Sequence, residues 1–194
     1  MSYHLAPIET CIERDAARER TVGKEVIDRM LKRFHAPYYD EGIHEIKIVR
    51  PDNFNYGKYL CDTFDAMKIP HDNPHHTLDI YDHCCEAQDY SYLCGKDDTG
   101  MVSLAAMMHD IGKPYTKAFI DSKGNPCEVA HFYQHQCVGA WITYCLYGES
   151  MPINVAWLVS THMDPYLNTK YYNKLPTYLK KQVDLLHEAD VNAH

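Results

Sequence analysis

Apolar positions recur at helical spacing through most of the chain. In residues 1–35, Val22, Val26, Ile27, Met30, Leu31 and Phe34 share one helical face. A breaker-rich link follows, Ala36-Pro37-Tyr38-Tyr39-Asp40-Glu41-Gly42. Residues 43–49 alternate and predict a short strand with no evident partner, ended by Pro51. Residues 54–68 predict a helix closed by Pro70. From His76 onward the pattern is helical: 76–92, then 97–109 with Asp98 or Thr99 as N-cap, then 128–147. Pro152 begins a helix running through Thr161, and Pro176 begins a last one ending near Val191, proline being favoured at a first helical position. Between these, 114–128 reads as a loop turning at 121–126, and 165–174 as a tyrosine-rich loop. The expectation is an all-α bundle over 51–194 carrying a short N-terminal helix-and-strand appendage over 1–50.

Bulk composition narrows the partners. The 194 residues are 45% hydrophobic and 24% charged, enough for a buried core. A net charge of -8 gives no general nucleic-acid-binding surface and no attraction to an anionic membrane, so a phosphate ester must be drawn in locally. Eight cysteines include no Cys-x-x-Cys pair, which argues against a zinc ribbon. Most lie in apolar helical segments as free thiols, which points to a reducing, cytoplasmic setting. There is no secretory-type N-terminus and no apolar run of the roughly 18 residues that a membrane helix needs.

The chemistry-bearing residues extend apolar stripes. His109-Asp110 closes the apolar run Met101 to Met108. His83 shares a face with Ile80 and Ala87, and His162 follows Val155, Leu158 and Val159. His135 lies with Val138, Gly139 and Ile142, and Asp190 continues the stripe of Leu179, Val183 and Leu186. One such group is usually a satisfied core residue. Several helices aiming His or Asp inward is how bundles build metal sites. Imidazole with carboxylate suits a divalent ion: Mn, Ni, Co, Fe, Zn or Mg. Gly112 allows a tight turn and Lys113 adds a fixed positive charge, although Gly-Lys-Pro is also a common helix stop. His71, His75 and His76, in a proline-bounded stretch, read as surface or capping residues. Tyr166, Tyr171, Tyr172 and Tyr178 fit either base stacking or half-buried packing.

Five segments together resemble the HD superfamily of metal-dependent phosphohydrolases. They are residues 77–83 ending in His83, 104–113 containing His109-Asp110, 130–140 with His131 and His135, 160–164 with His162, and 188–191 with Asp190. The flavour is closest to the HD domain of bacterial tRNA nucleotidyltransferases, without their nucleotidyltransferase head. The resemblance implies His83, His109, Asp110 and Asp190 as metal ligands. It implies His135 and His162 as donors to a second metal or to phosphate, and Lys113 as a neighbour of the substrate phosphate. His131 and Lys117 are weaker substrate-binding candidates. Asp110, Lys113 and His135 are the catalytic candidates. Residues 11–49 are similar, more loosely, to the lid helix and following strand of polynucleotide kinases, but no P-loop is present.

The implied activity is metal-dependent hydrolysis of a phosphomonoester or cyclic phosphodiester. The substrate is a nucleotide or RNA 3′ end, with a 2′,3′-cyclic phosphate or a 2′/3′-phosphate favoured. A kinase or ligase partner follows from the likeness to polynucleotide kinases, which RNA-repair proteins pair with end-healing phosphatases. The alternatives are a deoxynucleotide-specific 5′-nucleotidase or triphosphohydrolase, and a non-enzymatic metal-stabilised module that binds nucleotides.

Overall fold

The structure is a computed structural model and describes residues 2–37, 47–49, 51–74, 76–97, 99–147 and 153–193. The predicted link from Tyr38 on, the first half of the predicted strand, and His75, Asp98 and Pro152 lie outside the described residues.

The fold is mostly helical. Helices α4 (Ile80–Leu93), α5 (Met101–Met108), α6 (His135–Tyr147), α7 (Ile153–Thr161) and α10 (Thr177–Asn192) form the bundle. α4 packs on α5 and α10, α5 on α7, and α6 on α7. Ile80, Ala105, Ala106, Ile142, Leu146, Leu158, Leu179 and Leu186 are fully buried where these faces meet. Each buried aliphatic side chain contributes about 1.5–3 kcal/mol. α3 (Tyr56–Met67) flanks α4 and α6, with Asn55 as a capping acceptor for the Lys58 amide. Two single turns, α8 (Asp164–Leu167) and α9 (Thr169–Tyr172), occupy the predicted tyrosine-rich loop.

The expectation differs from the structure at five places. The N-terminal segment holds two helices, α1 (Ile8–Ala16) and α2 (Lys24–Leu31), rather than one. The break is built: buried Asp15 accepts from the amides of Val22 and Gly23, and Gly23 has φ +86. The strand β2 (Lys47–Val49) is paired, in parallel with β1 (Ser2–His4). The first bundle helix begins at Ile80 rather than His76, because Asp79 caps it by accepting from Asp82 N at 2.8 Å. α5 begins after Gly100, in the left-handed region, rather than at an Asp98 or Thr99 cap. Finally, residues 117–132 form a hairpin, β3 (Lys117–Ile120) with β4 (Pro126–Phe132), in place of a loop and the first turn of a helix. Asp121 Oδ1 accepts from the amides of Lys123 and Asn125 to close its turn.

The N-terminal segment shares the bundle's core through Leu5, Ile8, Leu31 and Ala36. Trp141 Nε1 donates to Ala6 O at 3.0 Å, and Phe34 meets the Trp141 ring edge-on at 5.2 Å.

Candidate metal centre

Three elements aim nitrogen and oxygen donors at one buried point. His83 projects from the first turn of α4, His109 follows the last residue of α5, and Asp190 lies near the end of α10. His83 Nε2 and His109 Nε2 face each other at 3.3 Å. Asp190 Oδ1 is 3.0 Å from the former and 3.4 Å from the latter. Asp110 Oδ2 is 3.3 Å from His109 Nε2 and 3.7 Å from His83 Nε2. On its other side, Asp110 Oδ1 is 3.2 Å from His135 Nε2, which faces His162 Nε2 at 3.1 Å. Asp110 therefore belongs to both donor groups, His83-His109-Asp110 and Asp110-His135-His162.

The tautomers follow from local backbone. His109 Nδ1 donates to Ala106 O at 2.7 Å, His135 Nδ1 to Phe132 O at 2.9 Å and His162 Nδ1 to Val159 O at 2.7 Å. A carbonyl only accepts, so each Nδ1 carries a hydrogen and each Nε2 turns inward, as a bare lone pair wherever the ring is neutral. Such lone pairs repel, and only a positive species between them removes the conflict.

The donor spacing fits a divalent ion. Ligands about 2.1 Å from one ion stand roughly 3.0 Å apart at octahedral corners and roughly 3.4 Å apart at tetrahedral ones. The His83, His109 and Asp190 donors span 3.0 to 3.4 Å. His83, His109, Asp110 and Asp190 could hold one ion; Asp110, His135 and His162 could hold another or an anionic group bound to it.

Charge in the site is arranged around Asp110. Burial acts to raise its pKa, but His109 and Lys113, with hydrogen bonds from His109 and His135, hold it well below the ordinary carboxylate value. Lys113 Nζ is 2.5 Å from Asp110 Oδ2, and the lysine is itself buried. Asp190 is likewise lowered: burial opposes the shift, and hydrogen bonds from His109 and His83 outweigh it. Burial acts to lower His109, yet Asp110 leads the interactions that raise it well above its usual value, the proton occupying the place a cation would take. His162 is pushed down to about 3, first by burial and next by His135.

A cavity of about 870 Å³ opens onto Asp110, Lys113, His135, His162 and Asp190. That volume is ordinary for a small-ligand site. His131 and Tyr166 line it, the first stacked on Tyr133 with centroids 5.5 Å apart and the second donating or accepting at His187. Tyr171, Tyr172 and Tyr178 are not among its lining residues. Lys117 is engaged elsewhere, 2.5 Å from Pro70 O and 2.7 Å from Asp72 Oδ2.

Two histidines of this centre are not surface residues, as their proline-bounded context predicts. His71 is 1% exposed and His76 lines the cavity. Both lie in coil, where no apolar periodicity flags an inward side chain; the crowding of histidines near His83 is the one signal the chain offers.

Clustered imidazole and carboxylate donors around a shared, lysine-paired aspartate define a metal-dependent hydrolase centre whose cofactor is a divalent metal ion. The HD domain profile matches residues 76–191, and the chain belongs to that family. Searches of curated proteins and of solved structures found no match. Among the described residues no helix is long and apolar enough to cross a membrane.

Proposed function

We propose that the protein hydrolyses a phosphate ester of a nucleotide or an RNA 3′ end, with a 2′,3′-cyclic phosphate or a 2′/3′-phosphate as the favoured class. The observation that carries this reading is Asp110, whose two oxygens each face histidine lone pairs beside a ligand-sized cavity. In this reading His83, His109, Asp110 and Asp190 hold the ion. When bound, it lowers the pKa of a water toward neutrality and polarises the phosphoryl oxygens. Asp110 accepts a hydrogen bond from the attacking water and orients it. Lys113 neutralises charge gathering on the phosphoryl oxygens. His162 stays neutral down to about pH 3, which suits it to bind rather than to donate a proton. The proton lost by that water would pass by way of Asp110 to the bare Nε2 of His135, 3.2 Å from Asp110 Oδ1, and from there to the leaving alkoxide.

Lys113 is the sole lysine or arginine lining the cavity among the described residues. One fixed cation favours a monoester or cyclic ester over a triphosphate, which needs more positive partners. The RNA-end preference, and a kinase or ligase acting on the same end, rest on the sequence likeness of residues 11–49. The test loads the protein with Mn, Ni, Co or Mg and offers 2′,3′-cyclic AMP, 2′-, 3′- and 5′-AMP, deoxynucleoside triphosphates and RNA bearing a 3′-phosphate. Turnover of the first classes, lost in Asp110→Ala, is expected. Absence of any phosphate-ester cleavage with every ion refutes the reading.

A further inference from the structure

We propose that His76 binds the substrate phosphate beside Lys113 and that buried His71 is the positioning residue that holds His76 there. This rests on the phosphohydrolase reading above. His71 lies outside the matched region 76–191, and neither histidine belongs to the ligand set just described.

The two rings form a built unit. They stack with centroids 4.0 Å apart and an interplanar angle of 14°. His76 also meets the His83 ring edge-on at 4.8 Å, so it sits directly against a metal-ligand candidate. His71 Nδ1 donates to Leu78 O at 3.0 Å, which leaves Nε2 as a lone pair. That Nε2 is buried, has no hydrogen-bond partner and lies 3.9 Å from Asp110 Oδ2. An unpaired buried nitrogen aimed at a carboxylate is costly, and folds retain such groups mainly where function needs them.

The segment carrying His71 is tied to the hairpin on several sides. Lys117 reaches Pro70 O and Asp72, the Ala130 amide donates to Asp72 O at 2.9 Å, and Asn73 Nδ2 donates to Ala130 O at 3.3 Å. Asp72 is held at φ 49, a region that non-glycine residues enter at a cost. Lys117 thus acts on the cavity through this loop. An imidazole N–H can donate to a phosphoryl oxygen held beside Lys113. Asn73, His76, Lys113 and His131 line the same cavity as Asp110 and give it a polar rim.

The experiment measures inorganic phosphate binding to the Mn-loaded protein by calorimetry, with Mn affinity measured separately. His76→Ala is expected to weaken phosphate about tenfold or more, the size of one hydrogen bond to a charged group, while Mn affinity stays unchanged. His71→Ala is expected to do the same. His71→Phe keeps a ring in the stack and is expected to retain most phosphate affinity. Unchanged phosphate affinity in His76→Ala overturns the proposal, and so does a loss in His71→Phe equal to that in His71→Ala. A wild-type protein that binds Mn, binds no phosphate and cleaves no ester overturns the phosphohydrolase reading itself.

Discussion

Replacing Gly112 by alanine tests whether the His-Asp turn and α6 are locked together. Gly112 has φ -83, an angle any residue adopts, so the glycine is not required by its own backbone conformation. A Cβ added there would lie 2.1 Å from His135 O and 2.6 Å from the Gly139 amide nitrogen. Ordinary non-bonded contacts begin near roughly 3.4 Å, so the turn and the helix must part by roughly 1 Å. Both colliding groups are backbone, and no side chain can swing away. His135 and Asp110 ride on the two separating segments, with donors now 3.2 Å apart. Overpacking of this kind costs about 1–3 kcal/mol and sometimes more. For a chain of this size each kcal/mol lowers Tm by about 2–4 °C, so a fall of about 2–12 °C is expected in calorimetric melts. The variant should also lose much of its metal by elemental analysis. A Gly112→Ala protein with wild-type Tm and full metal content refutes the close approach.

Three further outcomes follow. Chelation should lower Tm, because inward lone pairs lose their cation; at 100 times Kd a bound ion adds about 2.7 kcal/mol, and a Tm indifferent to metal removes the ion from the fold. Asp190→Ala should weaken Mn at least about tenfold by calorimetry, given its contacts to both His83 and His109; wild-type affinity would exclude Asp190 from the ligand set. The metal-free protein should lose stability as pH falls from about 6.5 toward 4, as followed by urea melts. The sign comes from His162: the unfolded imidazole takes a proton near 6.5 while the folded one, lowered to about 3, does not. The slope from this residue approaches about 1.4 kcal/mol per pH unit; a His162→Phe protein with the same pH slope would show that His162 is not its source.

The chain's pattern by itself determined the helical class and most of the bundle, because 54–68, 97–109 and 176–191 carry an apolar stripe that only burial satisfies; α3 and α5 fall within those limits and α10 overruns its limit by one residue. It also nominated His83, His109, His135, His162 and Asp190, which extend such stripes into positions where a lone polar group is expensive. What tertiary structure decided is everything set by neighbours distant in sequence. The hairpin at 117–132 was hidden because a strand is fixed by its pairing, Lys117 with Phe132 and Ala118 with His131, and no periodicity of its own announced it. Gly112 reads locally as a turn residue, and only the approach of α6 shows that its missing Cβ makes room for another helix's backbone. His71 and His76 sit in coil, where inward and outward look alike until Lys117, Asp72 and Ala130 close the loop over Asp110. Helical periodicity records which face is buried; which groups then touch is a property of the assembled bundle.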